Sequence, residues 1–201
     1  MIALFVRAVC YILLAAALAN LSVLEASVLE GFDRFAELGF VESTQAGLLA
    51  LCVLLCAWQA RTVPDQKALA TCMALAFAIL FLRENDQVFE FWLPHGFWKW
   101  PALLVFIAGA VTFLRQRQAV LDQLKAFQPT LAFGVLLAGC TTLVFARFFG
   151  SSTLWERVMG DDYLRVVKQA AEEGTEVFAL GLLTAGVVEM VIAGRAKRRE
   201  P

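Results

Sequence analysis

Residues 67–92 read KALATCMALAFAILFLRENDQVFEFW. Fifteen apolar or small residues separate Lys67 from Arg83, and at 1.5 Å per residue they cover only about 22 Å of a hydrocarbon core roughly 30 Å thick. Such a run is too short to cross a bilayer alone. Carried on through Val88 and Phe89 to the aromatic pair Phe91 and Trp92, the helix reaches ordinary spanning length. Arg83, Glu84, Asn85, Asp86 and Gln87 then fall in the outer third of the membrane. The competing reading is interfacial charge that snorkels to water at a helix end.

The surrounding chain has the same character. Of its 201 residues 60% are apolar and 17% charged, with a mean hydropathy of +0.71, which is too oily for a soluble domain of this length. Six apolar blocks stand out, at about 3–24, 41–60, 68–92, 98–114, 130–149 and 175–194. None alternates like a strand, so backbone polar groups in lipid must be satisfied within helices. The expected fold is an all-α membrane protein, a six-transmembrane-helix bundle forming a single integral membrane domain over 1–201.

Basic residues orient this bundle. With the N-terminus cytoplasmic, the inner side collects Arg7, Arg61, Lys67, Arg115, Arg117, Lys125, Arg195, Lys197, Arg198 and Arg199, against only Asp65, Asp122, Glu189 and Glu200 among the acids. This asymmetry satisfies the positive-inside rule and places both termini in the cytoplasm, in a cell (inner) membrane. Ala17-Leu18-Ala19 resembles a signal-peptide cleavage site, but apolar residues precede Arg7 and the run continues to Leu24. An uncleaved first helix is therefore expected. Between the fifth and sixth spans, residues 150–174 predict an amphipathic interfacial helical segment or pair.

Polar residues within the spans carry the functional signal. Glu42, Gln45, Leu49, Cys52, Cys56 and Gln59 recur at intervals of three and four, so they share one face of the second helix. Glu172, Glu173 and Glu176 open the sixth span, and Gly181 with Ala185 lets another helix come close. Glu84, Asp86 and Glu90 come from the third. Buried charge is costly unless it lines a wet cavity or is paired, so candidate cation-binding residues are Glu42, Gln45, Glu84, Asp86, Glu173 and Glu176. Arg83, Arg147 and Lys168 are the candidate charge partners. Surplus carboxylate attracts protons or hard cations. A divalent metal held by Glu42, Glu84 and Glu176 is the cofactor reading, with His95, the only histidine, a weaker addition.

Cys52 and Cys56 stand at i, i+4 without a CxxC or Cys-His partner, which favours packing over ligation. Glu189, near Arg195, is expected to snorkel to the surface. No HExxH, GxSxG, P-loop or Glu-x-x-His di-iron pattern is present. The favoured function is binding or translocation of a cation in a carboxylate-rich cavity open to the outer face. Alternatives are a membrane-embedded enzyme acting on a lipid or quinone at the outer leaflet, or a non-catalytic assembly subunit whose charges tie helices together. The bilayer is the expected partner, and nucleic acid is not.

Overall fold

Each apolar block forms a helix in the computed structural model, which describes residues 2–28 and 39–197. Residues 29–38 of the acidic loop, and Arg198 and Arg199 of the basic tail, lie outside the described residues. The elements are α1 (Ile2–Val28), α2 (Phe40–Thr62), α3 (Lys67–Glu84), α4 (Asp86–Glu90), α5 (Lys99–Arg115), α6 (Arg117–Phe127), α7 (Leu131–Phe149), α8 (Ser152–Met159) and α9 (Arg165–Lys197). Single 3-10 turns occupy Pro64–Gln66 and Gly160–Asp162. Among the described residues there is no strand.

Among the described residues five helical stretches are long and apolar enough to cross a membrane: Leu4–Glu25, Phe40–Thr62, Pro64–Glu84, Leu131–Phe149 and Arg165–Ala196. α5 and α6, bent by 87° at Gln116, make a sixth when taken together. Outward faces are oily, with Phe5 71% and Phe148 75% exposed. Exposed apolar surface on this scale marks a multi-pass membrane protein.

Two boundaries differ from expectation. The third helix does not run unbroken to Trp92: α3 ends at Glu84, Asn85 interrupts it, and α4 adds little more than one turn. Asn85 Nδ2 donates to the Phe81 carbonyl at 2.8 Å, alongside the Asn85 N–H at 3.2 Å, so one carbonyl takes both bonds where the helix stops. Length comes instead from the other end, where Pro64–Gln66 leads directly into Lys67. The segment 150–174 is not one interfacial piece either. Only α8 is separate, ended by Gly160 at φ +58°, whereas residues from Arg165 onward are the first turns of the 33-residue α9.

The chain divides into two compact units, Met1–Gln45 with Leu137–Leu183, and Ala46–Leu136 with Thr184–Pro201. In the first, Gly181 of α9 lies against Leu18 of α1, where a Cβ would come within 2.5 Å of Leu18 Cδ1. Any side chain there would force Leu18 to shift. Trp155 Nε1 donates to the Phe149 carbonyl at 2.8 Å and ties α8 to the end of α7.

In the second unit α3 packs chiefly on α5, and its first turn rests on α6. There Gln123 Oε1 accepts the Leu69 N–H at 2.8 Å, satisfying one of the donors a helix start leaves open. Cys52, Cys56 and Gln59 are buried, and Cys52 Sγ lies 3.4 Å from the Thr184 hydroxyl. This is the packing role expected of the cysteines. Glu189 is buried at 3% exposure, which corrects the snorkelling reading. Arg195 instead lies over the Trp58 ring, 4.7 Å from its centre.

Candidate functional site

The first turns of α9 bring three consecutive polar levels to the first unit, because Glu172, Glu173 and Glu176 fall on neighbouring faces of one helix. Lys168 sits one turn before Glu172 and pairs with its Oε2. Arg147, from the end of α7, donates from Nη1 to Glu172 Oε1 at 2.8 Å and reaches Glu176 Oε1 at 3.4 Å. Gly150 makes the approach possible, since a Cβ there would meet Glu172 Cγ at 2.5 Å. Glu176 is buried and Glu172 is 13% exposed, whereas the Arg147 side chain is 56% exposed. The carboxylates are thus inside and their cation largely outside.

From the second helix, Gln45 is fully buried and donates from Nε2 to Glu173 Oε2 at 3.0 Å, with the Glu173 carbonyl at 3.4 Å. That orientation suits an ionised Glu173; with Glu173 protonated the amide reverses and its oxygen accepts the carboxyl O–H. The other end of the amide, Oε1, is buried and has no hydrogen-bond partner among the described residues. Nearby on α9, Gly174 lies beside Ser22 of α1, whose hydroxyl is also buried and unpartnered. Unpaired buried polar atoms are rare and ask for an explanation.

One residue of this region escaped the sequence reading. Glu25, 1% exposed, accepts the Val41 N–H at 2.6 Å. A carboxylate thus sits at the N-terminal turn of α2, where open backbone donors and the helix dipole favour negative charge. Leu18, Ser22 and Glu25 repeat the four-three spacing that flagged the face of the second helix, so the signal was there. By charge alone, however, Glu25 reads as the start of the acidic loop.

The structure therefore brings together Gln45, Glu173 and, around Arg147, Glu172, Glu176 and Lys168. Glu42 is half-buried in the first turn of α2. Glu84 and Asp86 belong to the second unit, half-buried on either side of the break at Asn85. Arg83 is exposed and enters no ion pair among the described residues. Beyond the break, the His95 Nδ1–H donates to Glu90 Oε1 at 2.5 Å and the Gly96 N–H to the same oxygen at 3.2 Å. The His95 hydrogen bond holds the Glu90 carboxyl below its ordinary range, with help from the Gly96 backbone. Among the described residues no three His, Cys, Asp or Glu side chains are placed to hold a metal.

No family model, no curated protein and no solved structure matches this chain.

Proposed function

We propose that the protein is a six-span integral membrane protein that binds a cation, a proton in the first instance, at the Gln45–Glu173 pair. The observation that carries this reading is the hydrogen bond between Glu173 and Gln45, which sets a carboxyl against a fully buried amide of the α2 face. Protonation turns Glu173 from an acceptor into a donor, which the Gln45 amide can accept through Oε1. A divalent ion is the poorer fit, because hard dications require several oxygen ligands at once and no three-carboxylate set is assembled among the described residues. The ion pairs of Arg147 and Lys168 favour the second reading, an assembly subunit held by charge. In both readings the polar end of the bundle faces outward and both termini lie on the basic, inner side of a cell membrane. A cysteine introduced at Gln118 should then resist external thiol reagents in intact cells, and its labelling would reverse this orientation.

Linkage provides the test. A protein that binds a cation only when folded melts higher as that cation is added. The melting temperature in detergent should depend on pH around neutrality, remain flat with added calcium or magnesium, and lose its pH dependence in E173Q. A wild-type profile indifferent to pH, or one unchanged in E173Q, overturns the proposal.

A further inference from the structure

The second unit contains a groove of about 740 Å³ between α2 and α3, within the range of small-molecule sites. Its walls are small and apolar. Ala57 and Ala74 leave the space, Val53 and Ala78 mark its deep end, and Arg61 and Lys67 stand at its mouth. Arg61 and Lys67 are both exposed and make no ion pair among the described residues.

Depth decides what fits. From Arg61 back to Val53 is eight residues and from Lys67 on to Ala78 eleven, so the groove runs about 12–16 Å along the helices. That is about half of a roughly 30 Å hydrocarbon core. A partner helix crossing the membrane would need the full thickness, whereas a lipid chain needs only its own leaflet. Two unpaired cations at headgroup level, above an apolar slot one leaflet deep, complement an anionic amphiphile. A zwitterionic lipid would offer the same chain but set its own positive group against Arg61 and Lys67.

We propose that this groove holds one acyl chain of an anionic phospholipid from the leaflet on the basic side, with its phosphate between Arg61 and Lys67. The proposal rests on the membrane-spanning reading and is independent of the cation site. Native mass spectrometry of the detergent-solubilised protein, with phosphatidylglycerol or phosphatidylcholine added, tests it. Phosphatidylglycerol should be retained several-fold more than phosphatidylcholine. R61Q/K67Q should abolish that preference, while R115Q/R117Q, which removes two other basic residues of that side, should keep it. A57F leaves the charges in place and fills the slot, so it too should lose the bound lipid. Equal retention of both lipids, or unchanged preference in R61Q/K67Q, overturns the proposal. So does binding that survives A57F or is displaced by millimolar inorganic phosphate, either of which would mark a headgroup or free-phosphate site without a chain. Size exclusion and helicity identify a variant that has failed to fold; the comparison of the two lipids on the wild-type protein stands without any variant.

Discussion

Replacing Gln45 by leucine separates an occupied site from an empty one. Leucine fills nearly the same volume and removes both ends of the amide. The Nε2 bond to Glu173 is assisted by charge and contributes about 1.5–3 kcal/mol, while an unpartnered buried carbonyl costs about 1–3 kcal/mol. If Oε1 is dry, the lost bond and the relieved penalty offset, and Q45L should melt within about 1 kcal/mol of wild type. If a protonated partner occupies Oε1, no penalty is relieved and both bonds are lost, about 3 kcal/mol in all. For a chain of this size that lowers Tm by roughly 6–12 °C. The cation account predicts the large loss at neutral pH, together with a flattened pH profile. Thermal melts in detergent across pH read both. A Q45L protein that melts like wild type, with the wild-type pH profile, would refute the reasoning.

Other substitutions follow from the same geometry. E25Q keeps an acceptor for the Val41 N–H but removes the negative charge, and should lose about 1 kcal/mol. E25L strands the donor, so it should lose more and speed amide exchange at Val41; equal melts for the two variants would argue against the cap. R147Q should lose only about 1 kcal/mol, because the guanidinium is more than half exposed and solvent screens it. A loss of about 3–5 kcal/mol, largely restored by adding E176Q, would instead favour the assembly-subunit reading. The Glu90 pairing predicts a pH effect of defined sign. Its folded pKa is depressed, so the stabilisation is present above the ordinary carboxylate value and fades as pH falls through the lower folded value. Protection of the Gly96 amide should decline over that acidic window and should already be reduced in H95A; an amide indifferent to both would remove the pairing.

The sequence was most legible where burial follows helix periodicity. Of the face picked out by spacing, Gln45, Leu49, Cys52, Cys56 and Gln59 are at most 2% exposed, and Glu42 at its outer end is half-buried. Boundaries were less legible, because they turn on local competition that hydropathy does not encode. α3 stops at Asn85, and Pro64–Gln66 extends the same span at its other end. Contacts between helices were the least legible. Nothing near Glu25 in the chain indicates that its partner is Val41, sixteen residues on. Nor does local sequence show that Arg147 meets Glu172 and Glu176, which depends on the close approach at Gly150. Glu189 misled for the same reason: its burial is a property of the packing around α9, not of its nearness to Arg195.

The infrared absorption of protonated carboxyl groups tests the central claim most directly. Recorded on the purified protein at neutral pH, it should contain a carboxylic-acid band that shifts in deuterium oxide and is lost or displaced in E173Q, and that changes with Q45L because the amide shares the proton. A spectrum with no such band at neutral pH, identical across wild type, E173Q and Q45L, would show every carboxyl ionised and would contradict a bound proton at this pair.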